Sequence, residues 1–137
     1  MPSTDQLHDL VKEFVGKVPS LKTPKFSEYH ANRIVTERPL SSDWLTGVYY
    51  FSVGNEIKYV GQGTSRWGVG YRVREGLGRA NKPEWDKMLT DPECKVGIYE
   101  FDPSDWYWPC ALEQFLICCL RPPLNANVPF EPSQFAS

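Results

Sequence analysis

The sequence predicts a small α/β domain of the α+β kind: a three-stranded antiparallel sheet flanked by helices, with a helical extension at its N-terminus. Three observations predict it. Two short runs rich in β-branched and aromatic residues, Gly47-Val48-Tyr49-Tyr50-Phe51-Ser52-Val53 and Ile57-Lys58-Tyr59-Val60, flank Gly54-Asn55-Glu56, the pattern of a β-hairpin. Apolar residues recur at helical spacing near both ends of the chain. With 137 residues there is room for one ordinary core, because two independent domains would leave neither with enough buried surface.

The elements follow in order. Ser3 or Thr4 is a candidate N-cap, after which Leu7, Leu10, Val11, Phe14 and Val15 fall on one side of a helix that Gly16 and Pro19 end. From Val18 to about Ser42 the prolines at 19, 24 and 39 break regular structure, and only Ser27 to Val35 has a helical expectation. A three-residue hairpin loop opposes Val53 with Ile57, Phe51 with Tyr59 and Tyr49 with Gly61, so Tyr49 and Tyr59 share a face. Gly61, Gly63, Gly68 and Gly70 mark a loop, Tyr71 to Leu77 a short helix, and Pro83 to Leu89 another. Lys95 to Phe101 reads as the third strand and Asp102 to Asp105 as a turn. Pro109 then opens a helix through Leu120 that Pro122-Pro123 ends.

That last helix holds an anomaly. At about 100° per residue, Phe115, Cys119, Leu112, Leu116, Leu120 and Ile117 form one apolar arc, with Cys110, Gln114, Cys118 and Arg121 opposite. Glu113 falls on the apolar arc, between Leu120 and Ile117. A carboxylate there needs a cation, a donor cluster or an opening to solvent, since burying it unpaired costs several kcal/mol or forces it to take up a proton.

At 41% hydrophobic and 14% aromatic the chain is too apolar for disorder. No apolar run approaches the ~20 residues of a membrane span, and the start lacks the layout of a signal peptide, so the expected location is the reducing cytoplasm. Cys94, Cys110, Cys118 and Cys119 show no metal-finger spacing and are read as reduced core thiols. A net charge of −2 argues against indiscriminate adhesion to nucleic acid. Within that acidic whole, Arg66, Arg72, Arg74, Arg79 and Lys82 lie in one stretch where Glu75 is the only acid, a candidate nucleic-acid-binding face. His8 and His30 receive no role.

Taken one at a time, a hairpin tyrosine, a helix arginine or a helix glutamate is unremarkable; their order is informative. Gly47-Val48-Tyr49, Tyr59-Val60-Gly61, Arg72-Val73, Glu113 with Leu116-Ile117, and Pro123-Leu124-Asn125 together resemble the signature of the GIY-YIG nuclease superfamily. The resemblance covers roughly Gly47 to Val128. It implies a GIY-YIG-like domain over residues 46–137 behind the extension of residues 1–45. It also implies endonucleolytic hydrolysis of DNA by a site of Tyr49, Tyr59, Arg72, Glu113 and Asn125. Gln62 stands where many members of the family have lysine. The glycine-rich stretch before Arg72 is slightly long, so Arg74 and Arg66 are alternatives for the family arginine. Arg72 is preferred because Arg72-Val73 followed by Leu77 keeps the family's rhythm.

The residue types suit the chemistry. One carboxylate, Glu113, fits a hard cation such as Mg²⁺ or Mn²⁺ that takes few protein ligands and keeps its waters. Arg72 can bond two phosphate oxygens and stays charged at any working pH. Tyr49, with Tyr59 as the alternative, would take the proton of the attacking water, which for a phenol of pKa near 10 requires nearby positive charge. Asn125 would orient a ligand or the backbone nearby. The expected partner is DNA, with RNA the alternative, and no membrane. A chain with one site must act twice as a monomer or work as a homodimer to cut both strands. A catalytically silent nucleic-acid-binding module of the same fold is the rival reading.

Overall fold

Ser3 starts the first helix as a two-way cap: its side-chain oxygen accepts from the Gln6 amide at 3.2 Å while Gln6 Oε1 accepts from the Ser3 amide at 2.9 Å. The computed structural model describes residues 2–32, 46–63 and 83–125. Helix α1 spans Thr4–Gly16, as its periodicity predicts, and buries Leu7 and Val11.

The sheet has four strands where the sequence predicts three. Strand β1 is Lys25–His30, β2 is Gly47–Val53, β3 is Glu56–Gly63 and β4 is Cys94–Glu100. They lie in the order β1-β4-β2-β3, every neighbouring pair antiparallel. The added strand overlaps the stretch expected to be helical. Its residues Lys25-Phe26-Ser27-Glu28-Tyr29-His30 include no fully buried position, so the alternation that betrays a half-buried strand is missing. Its conformation comes instead from distant pairing with β4, from Lys25 opposite Glu100 to His30 opposite Lys95.

The hairpin keeps two of its three expected pairs, Tyr49 with Gly61 and Phe51 with Tyr59. Nearer the turn the register shifts between Phe51 and Ser52, so that Ile57 faces Ser52 and Glu56 faces Val53 rather than Ile57 facing Val53. The turn is tighter than predicted: Gly54 takes φ +58, the conformation a two-residue type II′ turn asks of its first residue. A bulge absorbs the spare residue, and Tyr59 stays on the face of Tyr49 and Phe51.

One helix precedes β4 and another follows it. Helix α2 is Pro83–Leu89, and α3 is Trp108–Leu120 after a 3₁₀ turn at Pro103–Asp105. One sheet face meets α1 and α3 through Val48, Tyr50, Ile57 and Val60 against Leu7, Val11, Leu112, Leu116 and Leu120. The other face carries Tyr49, Phe51, Val96 and Ile98 against Trp85 and Met88 of α2. Alternate residues of one strand therefore serve two separate cores.

Helix α3 ends in a left-handed residue, Arg121 at φ 48, whose amide donates to the Ile117 carbonyl at 2.8 Å. That turn, with Pro122 and Pro123, lays the following chain along the outer edge of β3, where the Leu124 amide donates to the Lys58 carbonyl at 2.9 Å. The other end of the chain reaches the same edge. The Ile57 amide donates to the Pro2 carbonyl and the Thr4 amide to the Asn55 carbonyl, both at 2.8 Å.

The cysteine reading needs correction. All four are free thiols, but only Cys94 and Cys118 are buried; Cys110 and Cys119 are exposed. Cys118 and Cys119 exchange their expected environments because α3 packs against α1 as well as the sheet, and its buried surface is wider than one arc.

Candidate active site

The two hairpin tyrosines meet. Tyr49 and Tyr59 rings are 6.1 Å apart between centroids and tilted by 36°, and Tyr59 stands edge-on to Trp85 at 5.0 Å. Tyr49 is 4% exposed, and Tyr59 is half-buried. The glycines of the two motifs have a steric reason. A Cβ built on Gly61 would stand 2.5 Å from both Cζ and Oη of Tyr49, so the phenol lies across its cross-strand partner and only glycine leaves it room. A Cβ on Gly47 would stand 2.3 Å from the carbonyl oxygen of Tyr99, where the obstacle is backbone and cannot swing away.

Asn125 is tied to the second motif from 65 positions away. Its Oδ1 accepts from the Val60 amide at 2.9 Å and its Nδ2 donates to the Val60 carbonyl at 2.8 Å. A side-chain amide thus replaces the strand that β3 lacks on its outer edge, pinning the residue between Tyr59 and Gly61. Of the two expectations for Asn125, a ligand or the backbone nearby, its two side-chain bonds here go to backbone.

Glu113 sits on α3 at the azimuth its sequence position predicts, between buried Ile117 and buried Leu120, yet it is itself half-buried. Gln114 Nε2 donates to its Oε1 at 3.3 Å. The carboxylate therefore stands at the edge of the apolar arc rather than within it. Helix α3 packs on the face of β2 and β3 that carries Val48, Tyr50 and Val60, whereas Tyr49 and Tyr59 lie on the opposite face, so the helix that bears Glu113 and the two tyrosines are on different sides of the sheet.

Arg72, its alternatives Arg66 and Arg74, and Arg79 and Lys82 lie outside the described residues. Among the described residues no three His, Cys, Asp or Glu side chains converge as a metal-binding group. A cation held by several protein ligands is therefore not built there, whereas one half-exposed carboxylate is the donor set a largely hydrated Mg²⁺ or Mn²⁺ accepts. When bound, such an ion supplies positive charge to a phosphate and acidifies a bound water.

Sequence reasoning passed over four polar atoms. Among the described residues Thr46 Oγ1, Ser52 Oγ, Gln62 Oε1 and Trp108 Nε1 are buried without a hydrogen-bond partner. Buried atoms of this kind are ordinarily satisfied. Gln62 and Thr46 point to the face of Val48, the α3 side, by strand alternation. The one mark of this spot in the sequence was Gln62, where the resemblance to the GIY-YIG signature leads one to expect lysine.

No helix among the described residues is long and apolar enough to cross a membrane. No family model, characterised protein or solved structure matches the chain.

Proposed function

We propose that the chain is a metal-dependent endonuclease of the GIY-YIG type that hydrolyses phosphodiester bonds in DNA. The observation that carries the reading is the junction at Tyr59-Val60-Gly61. There Tyr49 of the first motif lies over Gly61 of the second, and Asn125 of the last clamps Val60. Three motif elements spread over 77 positions of sequence, 49 to 125, thus depend on one short strand segment.

In this reading Glu113 holds the Mg²⁺ or Mn²⁺ ion and Arg72 bonds the phosphate oxygens as their charge builds up. Tyr49 takes the proton of the attacking water as phenolate, the form that positive charge from the metal ion and Arg72 favours by lowering the phenol's pKa. Tyr59 flanks it, and Asn125 is a positioning residue that acts through the Val60 backbone. Arg66, Arg74, Arg79 and Lys82 carry the DNA, so affinity depends on a few phosphate contacts and falls only shallowly with salt. The cytoplasm is the proposed location.

The test is nicking of supercoiled plasmid by the purified full chain in Mg²⁺, with RNA of matched length in parallel. The expected result is open-circular DNA that disappears in excess EDTA and with Glu113→Gln. Full cleavage in EDTA would refute the single-metal site. Binding without cleavage would identify a silent module, and cleavage confined to RNA an RNA-directed enzyme.

A further inference from the structure

On the sheet face that carries Tyr49 and Tyr59, a cavity of about 300 Å³ opens between helix α2 and the segment that follows α3. Its floor is apolar. Met88 of α2 is 5% exposed, and with Val53 of β2 and Leu124 of the exit segment it belongs to the cluster that holds both tyrosines. The charged side chains that line the cavity come chiefly from one helix face: Glu84 and Lys87 lie three residues apart on α2, which puts them side by side. Neighbours of opposite charge at that spacing commonly pair. Among the described residues, however, Glu84 and Lys87 form no ion pair with each other or with a third group. The other two charges of the lining are engaged: Lys58 Nζ is 3.0 Å from Glu56 Oε2, and Asp91 Oδ1 accepts from the Glu93 amide at 2.8 Å. The cavity therefore presents one free carboxylate and one free ammonium above an apolar floor.

From this arrangement we infer that the cavity binds a small zwitterion with an apolar body, of the class of the free aliphatic or aromatic α-amino acids. A ligand that is only an anion would gain Lys87 and be repelled by Glu84, and a ligand that is only a cation would meet the reverse. A molecule that carries both charges on adjacent atoms satisfies the two together, while its side chain is taken out of water against Val53, Met88 and Leu124. The volume lies at the lower end of the range for ligand pockets, roughly 300–1,000 Å³, and so fits a small molecule rather than a peptide segment. Glu84 and Lys87 are exposed, so each adds modestly to affinity and binding is expected at about millimolar concentration. The site is separate from the nuclease reading and does not depend on it.

The chain has two methionines, Met1 and Met88, so methyl-labelled methionine places one nuclear magnetic resonance probe on the cavity floor. The experiment titrates the full chain at neutral pH with L-leucine, with 4-methylpentanoate, which lacks the ammonium, and with 3-methylbutylamine, which lacks the carboxylate. Leucine is expected to shift the Met88 methyl signal saturably. Each analogue should bind about threefold to fivefold more weakly, the worth of one exposed charge pair. Glu84→Gln should bring leucine down to the level of 4-methylpentanoate, and Lys87→Gln should bring it down to the level of 3-methylbutylamine. Both side chains are exposed, and an unchanged thermal midpoint checks that each variant keeps the fold. The absence of a saturable Met88 shift, an analogue that binds as well as leucine, or leucine binding indifferent to either variant would each overturn the site.

Discussion

Tyr49 and Tyr50 are neighbours in β2 and face opposite sides of one sheet, and the two sides use a phenol differently. Tyr50 is fixed into a polar network: its hydroxyl donates to Glu28 Oε2 at 3.0 Å, His8 Nε2 is 3.5 Å away, and His8 Nδ1 is hydrogen-bonded to the Tyr99 hydroxyl. Desolvation first, then the Glu28 charge, raises its pKa far above that of an ordinary tyrosine. Such a phenol joins α1 to the sheet and is ill suited to accept a proton. Tyr49 instead lies over a motif glycine beside Tyr59. Identity in sequence therefore says little about surroundings; strand parity decides which tyrosine joins the network of His8, Glu28 and Tyr99 and which packs against Tyr59 over Gly61.

The sharpest way to break this contrast is to remove one hydroxyl at a time. Tyr49→Phe should lower plasmid nicking on the order of a hundredfold or more, the usual worth of a general base. Tyr50→Phe should leave nicking within about twofold and cost stability of about 1 kcal/mol, read by urea denaturation, as the Glu28 bond is lost. Reversed outcomes would assign the reactive phenol to the other face.

Next in size are the glycines beneath the two rings. A Cβ on Gly97 would stand 2.2 Å from Cε2 and Cζ of Tyr50, whose ring is fully buried, so Gly97→Ala should destabilise the chain by about 1–3 kcal/mol. Gly61→Ala pushes on Tyr49 and should reduce nicking more than it reduces stability. If both variants change only stability, Tyr49 is as structural as Tyr50.

Asn125→Ala removes two bonds to Val60 and should cost about 1–2 kcal/mol, with a fall in nicking that tracks the loosened strand. Asn125→Asp keeps the acceptor and loses the donor, so it should lie between the alanine variant and wild type.

The smallest effect is at alkaline pH. Burial raises Tyr99 from 10.0 to about 12, and Tyr50 moves in the same direction. Above pH 10 the unfolded chain releases protons that the folded chain retains, so this stability is complete below pH 10 and drains away as pH rises toward 12. Tyr99→Phe should flatten that decline in denaturation measured at pH 8 and pH 11.

The contrast also shows what a sequence reveals. The cap of α1, the periodicity of α1 and α3, the hairpin and the face shared by Tyr49 and Tyr59 depend on neighbours a few positions away, and they were readable. Strand β1 depends on β4, some seventy residues distant, and its own residues carry no alternation, so it was not. The His8, Tyr50, Tyr99 and Glu28 network joins four elements and has no linear signature. Of the candidate site, Glu113 sits at its expected azimuth because a helix is a local object. The use Asn125 makes of its amide emerged only from the path of the chain after Pro123.

That path has a consequence for amide exchange. A strand at the margin of a sheet normally lets its outward amides trade protons with water quickly, which makes it the first to open. On β3 the outward amides of Ile57 and Val60 are both occupied, one by Pro2 and the other by Asn125. Hydrogen exchange should therefore find these two amides as slow as those of an interior strand, and Val60 alone should become fast when Asn125 is replaced by alanine.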